Sequence, residues 1–288
     1  MQITLFTPTY NRAYLLERLF LCLQKQNFDS FEWIIVDDGS TDDTEELVKG
    51  FIKAGVTFPL KYIKQENQGK HIAINRGVKE ATGELFFIVD SDDYLADDAL
   101  IFISKEWDKI SDNELYGGVV PNKCIIGGTS IGNPQYDQLD CSTIDFRYKR
   151  HEKGDKAEVI RTSLFRKYPF PETKGEKFCP EALFFNRLKE YKLRYFNKDV
   201  YFCEYLPDGL SARIFKIRKD SPVNACLCYS ELSECDIPIK ERLKACINFY
   251  RFYRYTDKKI MTPGGGWLLN TLAKLLSNVL YILSDRKK

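Results

Sequence analysis

Gly83-Glu84-Leu85-Phe86-Phe87-Ile88-Val89-Asp90-Ser91-Asp92-Asp93-Tyr94 is the stretch that decides the fold class. The unbroken apolar run 85–89 has the pattern of a strand covered on both faces of a parallel sheet. It stops abruptly at Asp90, Asp92 and Asp93. Three carboxylates at a strand's C-terminal edge repel one another unless a cation lies among them. In open α/β sheets that edge is also where ligands bind. A structural alternative is a polar loop ahead of the next helix, which Asp97 or Asp98 would cap.

Outward from this point, the first 120 residues alternate strand and helix. Strands are expected at 3–7, 32–36, 60–65, 84–89 and 115–120, and helices at 12–26, 43–54, 70–81 and 97–109. Such β-α-β-α alternation implies a parallel sheet. Chain direction then brings Pro8-Thr9-Tyr10-Asn11-Arg12, Asp37-Asp38-Gly39-Ser40-Thr41 and Asp90-Ser91-Asp92-Asp93 to one crevice. Residues 121–157 are rich in Gly, Asn, Asp and Tyr and read as an irregular excursion. Mixed structure follows over 158–211, with a helix near 179–191 and strands at 193–196 and 199–205. From about 221 the chain reads as helical. Pro263-Gly264-Gly265-Gly266 separates a basic aromatic helix, 240–257, from an apolar one, 267–284.

Each motif has a chemical and a structural reading. Pro8 fixes a turn and Tyr10 offers a ring that could stack on a flat base, or Pro8-Thr9 is a strand exit with Asn11 as helix N-cap. Ser40 or Thr41 is expected to cap the second helix, with Asp42, Asp43 and Glu45 complementing its dipole. That leaves Asp37 and Asp38 unexplained at the edge of an apolar strand, where a carboxylate is a good acceptor for the imide N–H of uracil. In Asn67-Gln68-Gly69-Lys70, Gly69 permits close backbone approach and Lys70 either meets a phosphate at a helix N-terminus or is a solvated side chain. Neither a Walker loop nor a G-x-G-x-x-G fingerprint is present in the sequence.

The ordered set P-T-Y-N-R, V-D-D-G-S-T-D-x-T, N-x-G-K and D-S-D-D resembles family 2 glycosyltransferases, in particular the bacterial enzymes that build surface polysaccharides by single additions on a lipid carrier. The resemblance implies an α/β GT-A fold, a Rossmann-like, mostly parallel sheet flanked by helices, here with a C-terminal helical extension. It implies that Pro8, Thr9, Tyr10, Asp38, Gly69, Lys70, Asp90 and Ser91 bind the nucleotide. Asp92, with Asp90 nearby, would hold Mg²⁺ or Mn²⁺ at the diphosphate. The family's general base lies in an E-D-x-x-x-x-x-R-like segment, which maps onto Glu181 in Cys179-Pro180-Glu181, with Glu176 as the competitor. Pro180 stands where the family has an acidic residue, and the alternative is that Glu181 merely balances a helix dipole. The implied reaction is inverting transfer of one sugar from a nucleotide donor, UDP-linked by expectation, to a saccharide acceptor that a polyprenyl diphosphate could carry. The rivals are a non-catalytic sugar-nucleotide-binding protein and a nucleotidyltransferase. The latter would need a Gly-rich, Arg-containing loop that residues 8–14 do not supply.

The 288 residues are enough for one large domain with an appendage, read as a catalytic domain over 1–211 (a nucleotide-binding half, 1–110, and an acceptor half, 111–211) and a helical region over 212–288. A net charge of +2 gives no reason to expect a nucleic-acid partner. Nine scattered cysteines without a C-x-x-C pair fit buried free thiols in a reducing compartment. No basic n-region precedes the first strand, and no run reaches the ~18 unbroken apolar residues of a spanning helix, so a cytoplasmic location is expected. The amphipathic C-terminal helices suit either a membrane interface, at the inner face of the cytoplasmic membrane, or packing on protein.

Overall fold

A computed structural model describes residues 1–204 and 213–287. The expected end of the last strand and the 211/212 boundary lie outside the described residues. The chain forms two compact units, and the division is not a single cut. Met1–Cys141, Glu152–Pro169 and the stretch from Tyr191 make the first, while Ser142–His151 and Phe170–Glu190 join the C-terminal helices in the second.

The first unit is built on a nine-stranded sheet. Its front half runs β1 (Ile3–Thr9), α1 (Ala13–Gln24), β2 (Phe31–Asp37), α2 (Thr44–Ala54), β3 (Leu60–Lys64), α3 (Lys70–Glu80), β4 (Leu85–Ile88), β5 (Tyr94–Leu95) and α4 (Ala99–Asp108). Apart from β5, a two-residue strand that was not expected, these bounds follow the sequence pattern within a few residues. β3, β2, β1 and β4 lie side by side and parallel. The apolar stripe of α1, spaced by three and four, buries Leu16, Leu19, Phe20 and Leu23 in the cluster that holds Trp33 and Ile35 of β2. Phe20 also stacks on Phe51 of α2, with centroids 4.0 Å apart. On the even-numbered positions of β1, Phe6 stacks on Phe86 of β4, and Gly77 of α3 comes so close that a Cβ there would lie 2.3 Å from the Phe6 ring. Both faces of β1 and β4 are therefore covered, which is why these strands read as continuous apolar runs.

The sheet departs from the parallel expectation beyond β4. The strand expected at 115–120 extends to β6 (Tyr116–Ile125) and is not β4's neighbour. A three-residue strand, β8 (Val159–Arg161), lies between them and is antiparallel to both. Such a short edge-to-edge insert carries too little periodicity to be read from sequence. The expected pair 193–196 and 199–205 is one strand, β9 (Lys192–Cys203), parallel to β6 and antiparallel to β5 and to β7 (Gln138–Cys141). The helix α5 (Thr162–Lys167) follows β8.

In the second unit, the helix expected near 179–191 shrinks to α6 (Ala182–Arg187). It is followed by α7 (Ile214–Asp220), α8 (Pro222–Glu234), α9 (Ile239–Tyr253) and α10 (Gly266–Leu283). Ala225 and Cys226 of α8, Cys246, Phe249 and Phe252 of α9 and Ala273 of α10 form its core. All nine cysteines are free thiols, eight of them buried.

Candidate active site

The three acidic and polar motifs meet where β1, β2 and β4 end. Thr9 pairs in register with Asp37, and the Asp38 N–H donates to the Thr9 carbonyl at 2.8 Å. Asn11 locks the first two motifs together. Its N–H donates to Ser40 Oγ at 2.8 Å, and its Oδ1 accepts the Thr41 N–H at 2.8 Å. This geometry uses a left-handed Asn11, φ 52°, which asparagine tolerates better than most residues. Neither Asn11 nor Ser40 and Thr41 acts as the helix cap that their sequence position suggests, because Arg12 and Asp43 occupy the N-cap positions. Asp42 serves both helices, accepting the Ala13 N–H at 3.1 Å and the Thr44 N–H at 3.2 Å.

Asp37 and Asp38 have different partners. Asp37 is fully buried and accepts the Ser40 N–H at 2.7 Å and the Tyr62 hydroxyl at 2.5 Å. Asp38, 5% exposed, accepts Gln65 Nε2 at 2.8 Å, the Gln68 N–H at 2.9 Å and the Gly69 N–H at 2.7 Å. A carboxylate has about four lone-pair positions, so three of them hold the 65–69 loop. The same loop lies against Gly39, where a Cβ would be 2.9 Å from the Asn67 nitrogen. Gly39 and Gly69, at φ 87° and 100°, take backbone conformations that suit glycine. Asp38 thereby sets the start of α3, where Lys70 stands.

Lys70 Nζ lies 2.7 Å from Asp90 Oδ1. Burial opposes ionisation of Asp90, but the charges of Lys70 and Lys123 outweigh it and hold its carboxyl below the usual range. Asp92 is pushed up by burial and by Asp90, with Arg12 3.8 Å away in partial compensation. Arg18 donates to the Asp92 carbonyl oxygen. Asp93 is pushed up to about 7, first by burial and then by Asp90, while its Oδ2 accepts the Tyr201 hydroxyl at 2.6 Å. Tyr201 also accepts the Asp90 N–H at 3.0 Å, and Lys123, its register partner across β6 and β9, lies 4.1 Å from its ring centroid.

Of the other expected nucleotide contacts, Tyr10 is 48% exposed and presents its ring to solvent. Thr9 Oγ1 is buried without a hydrogen-bond partner among the described residues, a polar atom placed at the end of β1. Ser91 is buried between Asp90 and Asp92. Lys123 and Tyr201 were not legible as site residues, because they reach Asp90 from β6 and β9, and neither strand carries a local motif. Arg12 and Arg18 had a signal only as positive charges in and after the first motif.

Among the described residues no group of three or more His, Cys, Asp or Glu side chains is arranged as a metal cage. Two hard carboxylates, Asp90 and Asp92, fit a divalent cation bound mainly through substrate phosphates, as Mg²⁺ usually is. Burial is the first cause that raises Asp92 and repulsion from Asp90 the second, and such an ion would relieve that repulsion.

The two candidate bases belong to the second unit and have unlike surroundings. Glu176 is buried, with Oε1 accepting the Val223 N–H at 2.7 Å and Oε2 the Asn224 N–H at 2.8 Å. It therefore caps the N-terminus of α8, where a carboxylate complements the dipole. Glu181 is the partly exposed N-cap residue of α6, and Arg187, one and a half turns further on, forms a two-point ion pair with Glu231.

Comparison with known proteins agrees with this architecture. The chain is 28% identical over 270 residues to the GalNAc(5)-diNAcBac-PP-undecaprenol beta-1,3-glucosyltransferase of Campylobacter jejuni, covering 89% of this chain and 83% of that protein. A glycosyltransferase of Haemophilus influenzae matches at 35% over 99 residues, 34% of this chain, which spans 39% of its length. Among solved structures, S. aureus TarS 1–349 in complex with UDP-GlcNAc superposes with a TM-score of 0.61 at 21% identity, covering 88% of this chain and 72% of that one. The mannosyltransferase PcManGT from Pyrobaculum calidifontis, in complex with GDP-Man and Mn²⁺, gives 0.56 at 18% identity, covering 99% and 82%. At such identities the likeness shows the fold. The profile of Glycosyl transferase family 2 matches residues 4–162, more than half of the chain, and the protein belongs to that family.

Proposed function

We propose that this glycosyltransferase moves one sugar from a UDP-sugar to a saccharide on a lipid diphosphate carrier, with inversion and with a divalent cation at Asp90 and Asp92. The observation that carries the reading is the convergence of Asp90, Asp92, Lys70 and Arg12 at the ligand-binding edge of the sheet. The acceptor class is suggested by the undecaprenol-linked substrate in the name of the Campylobacter relative.

In this reading Tyr10 stacks on the base and Thr9 Oγ1, without a hydrogen-bond partner among the described residues, meets a polar edge of the nucleoside. Asp38 acts by holding the 65–69 loop, with its one remaining acceptor position available to the imide. Asp90 and Ser91 lie near the ribose. A divalent cation, when bound, stabilises the negative charge that develops on the leaving diphosphate. Arg12 and Lys70 add positive charge on the same side. Glu181 takes the proton from the acceptor hydroxyl, a contribution of about 10²–10⁴-fold. It is preferred to Glu176, whose two oxygens are both taken by the α8 N-terminus. A carboxylate base on the acceptor and a single displacement invert the anomeric centre.

The chain is further proposed to work on the inner face of the cytoplasmic membrane through α10. That helix is long and apolar enough to cross a membrane by length and composition, although Asn, Thr, Lys and Ser interrupt its apolar run. Only a narrow stripe with Ala273 and Ser277 is buried. Leu268, Leu272, Leu275, Leu276, Val279 and Leu283 are exposed along one arc, with Trp267 76% exposed at its start and Arg286 just beyond its end. A bilayer interface suits an aromatic anchor and a basic end on an apolar face.

The test is release of UDP from a panel of UDP-sugars, with and without Mn²⁺ and an undecaprenyl-diphosphate-linked saccharide. Acceptor-stimulated release is expected with one donor, and it should vanish in Glu181→Gln while UDP still binds. No stimulation by any donor, with UDP bound, would favour a non-catalytic nucleotide-binding protein.

A further inference from the structure

Three carboxylates and three cations share the crevice. Asp90 is paired with Lys70 at 2.7 Å, Asp92 has Arg12 at 3.8 Å, and Asp90 and Asp93 both feel Lys123. The acidic cluster that looks like an unmet demand for metal in the sequence is thus balanced by the chain's own side chains. The balancing cations are not equivalent. Lys123 sits among buried neighbours over the Tyr201 ring, in a strand whose backbone is fixed by pairing with β9. Lys70 stands at the first residue of α3, with its side chain 26% exposed, on a flexible four-carbon stem. Its ammonium has both a reason to be at Asp90 and the freedom to leave it.

We propose that Lys70 is the counter-ion of Asp90 in the free enzyme, standing where a divalent cation would share that carboxylate, and that it moves to the donor diphosphate when the nucleotide enters. The proposal rests on the nucleotide and cation reading above. Its consequence is an order of events. A divalent cation alone meets a neutralised site and binds weakly. The diphosphate brings anionic oxygens next to the helix N-terminus, where they attract the ammonium. Asp90 is then released to face the cation that arrives with the nucleotide. Cation and nucleotide bind with strong mutual dependence because one lysine exchanges one anionic partner for another. Asp38 enters the same device indirectly, since its hydrogen bonds to the Gln68 and Gly69 N–H groups fix the point from which the Lys70 side chain swings.

Lys70→Met removes the charge and keeps the length of the stem, and Lys70→Gln serves as a second neutral variant. Mn²⁺ binding to the intact chain is followed by the loss of the free-ion electron paramagnetic resonance signal, without nucleotide and with saturating UDP. The wild-type protein is expected to bind Mn²⁺ weakly alone and at least about a hundred-fold more tightly with UDP. Both variants should bind Mn²⁺ alone at least about ten-fold more tightly than wild type, a fraction of what Coulomb's law allows for a unit charge some 4 Å away at an effective dielectric constant of ~20. Their UDP-induced gain should shrink by at least as much. Equal Mn²⁺ affinity of wild type and both folded variants in the absence of UDP, with UDP-dependent binding preserved in wild type, would overturn the role of Lys70 and leave the cation site standing. No Mn²⁺ binding by any protein, with or without UDP, would overturn both.

Discussion

Replacing Asp38 by alanine separates scaffolding from base recognition. The carboxylate accepts three hydrogen bonds of 2.7–2.9 Å in a residue 5% exposed, two of them from the backbone of Gln68 and Gly69. Each donor left unpaired costs about 1–3 kcal/mol when water cannot reach it, and Gln68 is itself exposed, so solvent will partly replace the lost acceptor. A net loss of about 2–4 kcal/mol follows. At about 2–4 °C per kcal/mol for a domain of this size, the melting temperature should fall by about 4–16 °C. Differential scanning fluorimetry reads the shift, and titration with UDP and Mn²⁺ reads the nucleotide site. UDP affinity should fall as well, because the loop that carries Lys70 has lost its tether. Asp38→Asn, which keeps one carbonyl oxygen but turns an NH₂ group toward a backbone donor, should fall between the two. An unchanged melting temperature with UDP binding abolished would refute the scaffolding argument and make Asp38 chiefly a ligand for the base.

Other consequences are equally direct. Asp93, at about 7 in the fold against 3.8 as a free side chain, binds a proton in the native state that the unfolded chain releases, so stability should decline as pH rises from about 4 to about 7. Asp93→Asn should flatten that part of a urea-denaturation pH profile and make the protein more stable at pH 8, by at most about 4 kcal/mol; an unaltered slope would show that another group carries it. Glu176→Gln should lower the melting temperature, by about 1–2 kcal/mol equivalent, because it removes the charge at the α8 N-terminus, while leaving the rate of sugar transfer per folded molecule nearly unchanged. Loss of turnover with no loss of stability would instead make it the base. Wild-type protein should co-sediment with phosphatidylglycerol-containing vesicles, and Leu272→Glu with Leu276→Glu should not. A wild-type dimer in light scattering that the double variant dissolves, with no vesicle binding, would assign the α10 face to a second copy.

The sequence alone determined the parallel front half of the sheet and the set of acidic residues at its edge. Five apolar residues in a row before Asp90 require cover on two faces, and alternating helices supply it. Strand polarity then leaves no choice about which edge receives Thr9, Asp38 and Asp90. The sequence could not decide what those residues do for each other. That Asp37 binds a tyrosine and Asp38 a loop, that Glu176 caps α8, and that Lys123 and Tyr201 reach Asp90 all depend on contacts between residues 25 to 111 positions apart. Periodicity and capping rules act over a turn or a strand. Partners brought together by β8 slipping between β4 and β6 and by the long pairing of β6 with β9 exist only once the chain has closed on itself.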